Sequence, residues 1–175
     1  MIVTYAYKSA EGSVYLTTGS PKPQIEYIFG KELTDEEYKE IIKASCQPAE
    51  GCDVIEVNPE DLPDDDLFPC WEIDGNKIRI NFDKLRDWGL KRIRSLREPA
   101  FKDLDLKVTR ALEDGDTETL ENVKLTKNKL RNITEEIKSL TCPNGKFACQ
   151  TTLAKFRELI DKSRIEGIVN GEADK

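Results

Sequence analysis

The stretch "SLREPAFKDLDLK", residues 95–107, decides how the second half of the chain folds. Leu96, Ala100 and Leu104 recur at the spacing of one face of a helix. Pro99 interrupts this row, and a proline inside a helix costs about 3 kcal/mol. The alternatives are one helix kinked at Pro99 or two separate helices. Because the apolar row keeps its phase on both sides of the proline, we predict one kinked helix.

The longer segment around this stretch, residues 82–140, has almost no β-forming pattern and predicts two long helices. The sequence "EDGDTE" at 113–118 marks the break between them. Gly115 suits the left-handed position after a helix end, and Asp116 suits the N-cap of the next helix. A second apolar stripe then runs from Leu120 to Leu140. Two amphipathic helices joined by a short glycine turn predict an antiparallel helical hairpin.

Residues 58–135 also contain a set of residues at characteristic spacings. The set comprises Arg94, Arg97, Pro99, Leu104, Asp105, Ala111, Leu112, Glu113, Gly115, Asp116, Lys127, Leu130 and Arg131. This pattern, RxxRxPxxxxLD, then ALExGD, then KxxLR, resembles that of small bacteriophage tail-region proteins of the tail or tail-fibre assembly type. One departure is "KLRDWGLKR", where the family often has a segment with histidine. The resemblance implies a setting in the phage tail more than a mechanism.

Residues 1–81 predict a small β-rich part with one helix. Residues 2–7 and 14–18 predict a hairpin, residues 53–57 a short strand, and residues 70–82 a second hairpin that turns at Gly75-Asn76. The segment "IEYIF" at 25–29 predicts either a third strand or a docking segment. Thr34 and Glu37 form a capping box, which places a helix start at residue 34.

The predicted fold class is therefore α+β, in three parts. Residues 1–81 form a β-rich docking part, and residues 82–140 form the helical hairpin. Residues 141–175 hold a loop flanked by cysteines, a short helix and the polar tail "NGEADK". The apolar residues of the short helix are Leu153, Phe156, Leu159 and Ile160.

The composition argues against several classes of function. The formal net charge of -7 disfavours nucleic-acid binding, because phosphate backbones repel an acidic protein. The sequence contains no histidine, which is the commonest general base and metal ligand. Neither a glycine-rich phosphate loop nor a paired CxxC motif is present. We expect a non-enzymatic protein with no cofactor, metal or membrane span, made in the host bacterial cytoplasm and carried in the tail region of the virion.

The five cysteines leave two alternatives open. Cys46 and Cys52 enclose one turn-like stretch, and Cys142 and Cys149 enclose another. Each pair is a candidate for a loop-closing disulfide, whereas a cytosolic protein would keep its thiols reduced. Cys70, beside Trp71, is predicted as a small core residue.

The expected activity is protein–protein binding. Candidate interface residues are Tyr27, Phe29, Trp88, Arg92, Arg94 and Arg97. The alternatives are that the aromatic residues fill the protein's own core and that the arginines form a solvated helix face. Expected partners are other tail or fibre proteins, with a homo-oligomer also open. The protein would be a minor virion component or an assembly factor; the alternative is a host-directed phage binding protein or inhibitor that is absent from the particle.

Overall fold

A computed structural model of the chain describes residues 1–143 and 145–169, with residues 164–169 described as helix backbone only. The chain divides into two compact units, of which the first is Met1–Lys84 and the second begins at Leu85. The α+β class is confirmed: a small antiparallel β part precedes long helices that pack together and a shorter C-terminal helix. The predicted polar tail, 170–175, lies outside the described residues.

The first unit contains a three-stranded sheet whose central strand is β1 (Thr4–Lys8). Strand β2 (Val14–Thr18) pairs antiparallel on one side, as the predicted hairpin requires, with Tyr7 opposite Tyr15. Strand β3 (Ile55–Val57) pairs antiparallel on the other side of β1. The predicted strand at 53–57 is therefore present in its last three residues.

A second predicted hairpin is also present in this unit. Strands β4 (Trp71–Asp74) and β5 (Lys77–Ile80) pair antiparallel, and Gly75 turns between them with φ 61°. A side chain at this left-handed position would be strained, which explains the glycine. The polar connection before β4 forms two short 3-10 turns, Pro59–Asp61 and Asp65–Cys70.

The helix α2 (Asp35–Ala44) begins where its sequence predicts. The Thr34 hydroxyl accepts a hydrogen bond from the Glu37 amide at 3.1 Å, and the Glu37 carboxylate accepts one from the Thr34 amide at 2.8 Å. These reciprocal bonds satisfy two amides that a helix start leaves without partners. The buried face of α2 joins a core cluster that comprises Val3, Tyr5, Leu33, Tyr38, Ile42 and Cys46.

Of the two alternatives for residues 25–29, the strand is wrong, because these residues lie in helix α1 (Lys22–Phe29). The docking role stays a prediction. Pro21 precedes this helix, and Pro23 lies in its first turn, where a proline's fixed φ suits a helix start. Gly30 ends it with φ 67°. The N-terminal part thus holds two α-helices where the sequence predicted one.

The helical hairpin predicted for residues 82–140 is confirmed. Helix α3 (Phe82–Asp114) is a single helix that contains Pro99, and α4 (Thr117–Lys138) follows after a short turn. Gly115 has φ 70°, and the Asp116 carboxylate accepts from the Thr119 amide at 3.0 Å, as the predicted turn requires. A buried cluster of Ala100, Leu104, Val123 and Leu130 joins the two helices.

Helix α5 (Gln150–Val169) packs against the base of this hairpin. Phe156 is buried, and its ring centroid lies 6.0 Å from that of Trp88 on α3. Lys162 contacts Glu136 of α4 at 3.3 Å. In the described part of the chain, no helix is both long and apolar enough to span a membrane.

Candidate protein-interaction surface

The second half of α1 presents three consecutive large apolar side chains to solvent. Tyr27 is 88% exposed, Ile28 69% and Phe29 54%. We call these three residues the α1 surface. Only Ile25 of this helix packs against the core cluster of the first unit. Tyr27 lies on the opposite side of the helix from Ile25. Ile28 and Phe29, three and four residues after Ile25, share its face, yet both side chains are exposed.

Ion pairs and hydrogen bonds hold the α1 surface in place. The Lys22 ammonium lies 2.7 Å from the Asp35 carboxylate at the start of α2. This hydrogen bond lowers the pKa of Asp35 and raises that of Lys22. The Glu26 carboxylate also accepts from the Leu33 amide at 3.0 Å. Polar residues of α1 are therefore tied to the start of α2 and the residues before it, which leaves Tyr27, Ile28 and Phe29 free for another contact.

The structure places Trp88 within the protein's own packing. Trp88 is half-buried on α3, and its ring is tilted against that of Phe156. From the sequence, this residue was a candidate either for an interface or for the protein's own core. Its contact with a buried phenylalanine favours the core role.

The three candidate arginines have different surroundings. Arg92 and Arg94 are exposed on α3. Arg97 instead turns toward α4, where it donates to the Leu130 carbonyl at 2.7 Å and to the Thr134 hydroxyl. Burial lowers the pKa of Arg97, and the positive charges of Arg94 and Arg131 act in the same direction. Arg97 therefore links the two helices of the hairpin, and its role in an interface stays a prediction.

All five cysteines are free thiols in the structure. Cys46 and Cys70 are buried, as the core prediction for Cys70 requires. The Cys142 thiol lies 3.0 Å from the Phe147 carbonyl, and the Cys149 sulfur lies 3.2 Å from the Thr152 hydroxyl. Neither the Cys46–Cys52 pair nor the Cys142–Cys149 pair is bonded here. Their oxidation outside the cell stays a prediction.

We expect Cys149 to be the most reactive thiol. Its pKa is lowered by hydrogen bonds from the Thr152 hydroxyl and from backbone amides, whereas burial raises the pKa of Cys70 to about 11. A lower pKa leaves more thiolate at a given pH, and the thiolate is the nucleophile. Iodoacetamide at neutral pH should therefore label Cys149 first and Cys70 last, as peptide mass spectrometry would show.

The same measurement tests the disulfide. Labelling of Cys149 only after a reductant is added would reveal an oxidised Cys142–Cys149 pair. Labelling of Cys149 no faster than the half-buried Cys52 in reduced protein would contradict the expected activation.

The sequence analysis found Tyr27 and Phe29 but missed Ile28. The signal available was the unbroken apolar run from 27 to 29, which no amphipathic helix can bury on one side. Among the described residues, no group of three or more His, Cys, Asp or Glu side chains could hold a metal ion.

Comparison with known proteins adds no family to these observations. No protein-family model, no curated protein and no solved structure matches the chain. The resemblance to phage tail-region proteins therefore stays a prediction from the sequence.

Proposed function

We propose that this chain is a non-enzymatic bacteriophage tail-region protein that works by binding another protein of the tail. It would act either as a minor virion component or as a tail or fibre assembly factor. The observation that carries the binding role is the α1 surface, Tyr27, Ile28 and Phe29. The resemblance of the residue pattern in 58–135 to that of phage tail-region proteins supports a role in the phage tail.

The α1 surface supports a binding role because exposing its large apolar side chains to water is unfavourable, and a partner that covered them would remove this penalty. Adjacent large apolar side chains on a surface are typical of interaction sites. Tyrosine and phenylalanine are enriched in interface centres, and tyrosine is common among the residues that dominate binding energy. A stable interface usually buries about 1,200–2,000 Å² in total. Three side chains would form only the centre of such an interface, with the polar residues of α1 and α2 around it.

The non-enzymatic part of the proposal rests on the sequence. A chain without histidine must draw any general base from Asp, Glu, Lys or Cys. The described cysteines have no histidine to activate them. We therefore place the function in a surface.

The variant Tyr27→Ser tests the proposal. The side chain is 88% exposed, so its loss should leave the melting temperature almost unchanged. A central interface tyrosine contributes about 2 kcal/mol, which corresponds to about thirtyfold in affinity. We expect far less of the variant to be incorporated into, or to act in the assembly of, tails of the phage that encodes it. Complementation of a deletion phage would measure this loss.

Leu106→Ser is the matched control, because Leu106 is an exposed apolar residue on α3 at 58%. It should assemble normally. Mass spectrometry of purified particles separates the two roles, since a virion component stays in the particle and an assembly factor does not. A deletion phage that builds complete, infectious tails would contradict the proposal and favour the host-directed alternative.

A further inference from the structure

Two arginines from different helices of the hairpin lie beside one aromatic ring. The guanidinium carbons of Arg97 on α3 and Arg131 on α4 are 5.7 Å and 5.9 Å from the centroid of the Phe101 ring. The electrons of the ring attract both cations. Arg94, one helical turn before Arg97, is exposed on the same face of α3. We call Arg94, Arg97 and Arg131 the arginine cluster.

The arginine cluster is held in place although its charges repel one another. Arg97 donates through Nη1 to the Leu130 carbonyl and to the Thr134 hydroxyl. Its buried Nε has no hydrogen-bond partner among the described residues. Burial lowers the pKa of Arg97, and the positive charges of Arg94 and Arg131 lower it further. An anion beside the three arginines would relieve this repulsion.

The carboxylates nearest the arginine cluster are already paired with lysines. These ion pairs are Glu98–Lys102 at 2.9 Å, Asp105–Lys127 at 2.6 Å and Glu135–Lys138 at 2.7 Å. Asp87 and Lys91, which precede Arg94 on the same face of α3, carry opposite charges. Among the residues whose side chains the structure describes, no carboxylate lies within ion-pair distance of the three arginines. The cluster therefore gives a chain of net charge -7 a local positive surface.

The position of the arginine cluster indicates which kind of anion suits it. A compact phosphate ion is usually held by donors that converge on one point, including backbone amides at a helix N-terminus. The three arginines lie instead in the interior of α3 and α4, where the backbone amides are bonded within the helix. Arg94 and Arg97 are about 4.5 Å apart along the axis of α3, and Arg131 belongs to the other helix. Separate carboxylates on one segment can each reach one of these arginines.

We infer that the arginine cluster binds an acidic segment of another protein, whose glutamate or aspartate side chains lie about one helical turn apart. Each guanidinium can form a charge-assisted pair with one carboxylate, and the half-buried Phe101 ring offers an apolar contact beside them. A nucleic acid would extend beyond the cluster along an acidic chain, which repels it. A short segment instead responds mainly to charges within the Debye length of about 10 Å. The inference does not rest on the proposed tail function.

A peptide of glutamate and alanine tests the site. Its glutamates are three and four residues apart, so that they share one face of a helix, and the fluorescence anisotropy of a rhodamine label reports binding to the full chain. At about 50 mM NaCl we expect a dissociation constant on the order of 10–100 µM, because exposed ion pairs are individually weak. Added salt should weaken the binding. A peptide with glutamine in place of glutamate should not bind.

Neutral substitutions identify the residues that bind the peptide. Arg94→Gln and Arg131→Gln each remove one exposed charge, so each should weaken binding roughly threefold to tenfold. Glu98→Gln removes a carboxylate that can compete with the peptide for Arg94, four residues before it. This variant should bind at least about twofold more tightly. Arg97 is left unchanged because its hydrogen bonds join the two helices.

The matched controls are Arg110→Gln and Lys129→Gln. They remove a positive charge at exposed positions on other sides of α3 and α4. Both should bind the peptide like the parent chain, and circular dichroism melts would confirm that every variant is folded. Tyr27→Ser should bind normally too, because the α1 surface is a different site.

Four results would overturn the inference. The first is no binding of the glutamate peptide at about 1 mM chain in low salt. The second is a loss of affinity in the control variants or in Tyr27→Ser that equals the loss in the cluster variants. The third is a Glu98→Gln variant that binds no more tightly than the parent. The fourth is displacement of the peptide by inorganic phosphate where sodium chloride of equal ionic strength does not displace it, which would make the cluster a phosphate site.

Discussion

Replacing Leu130 by alanine should destabilise the helical unit by about 2–5 kcal/mol. Leu130 is completely buried on α4 and packs with Ala100, Leu104 and Val123. The substitution removes apolar contacts and leaves a cavity between the two long helices. The carbonyl that accepts from Arg97 belongs to the backbone, so this hydrogen bond can persist in the variant. Urea unfolding followed by circular dichroism would measure the loss.

Leu125→Ala is the matched control, because Leu125 lies on the same helix but is 58% exposed. It should change the free energy of unfolding by no more than about 0.5 kcal/mol. Equal losses for the two variants would mean that the helices do not pack through Leu130. The hairpin packing would then have to be revised.

Replacing Gly89 by valine should cost about 1–3 kcal/mol through overpacking. A Cβ at residue 89 would lie 2.7 Å from Cζ of Phe156 and closer still to Cε2. Glycine inside a helix is about 1 kcal/mol less favourable than alanine, so packing and not helix propensity explains its presence. Ser95→Val, at an exposed position of the same helix, should cost only a few tenths of a kcal/mol.

A double-mutant cycle would identify the cause of this loss. Phe156→Leu shortens the ring that a valine at residue 89 would strike, so the double variant should lose less than the sum of the single losses. Strict additivity would place the strain elsewhere. Thermal melts are sensitive enough, since about 1 kcal/mol shifts the melting temperature of a unit of this size by roughly 4–8 °C.

The elements that the sequence predicted well are those specified by neighbouring residues. The capping box at Thr34 and Glu37 needs only residues three apart, and the turn at Gly115 and Asp116 needs only the ends of two helices. The apolar row across Pro99 likewise predicts the single helix α3. In each case the interaction that fixes the structure is local.

The features that the sequence could not supply depend on distant residues. Arg97 donates to a carbonyl 33 residues away, and Trp88 packs against Phe156 across two helices. The segment 25–29 has the composition of a strand, yet the prolines before it favour the helix start.

The central position of β1 has a consequence for synthesis of the chain on the ribosome. β1 is made before both of the strands that it pairs with, β2 and β3. β2 follows within a few residues, but Thr4 must wait for Val57. At about 5–20 residues per second, this delay lasts several seconds. Until β3 is made, one edge of β1 has no partner strand and stays open to other strands. During that interval the β1–β2 hairpin is only marginally stable by itself.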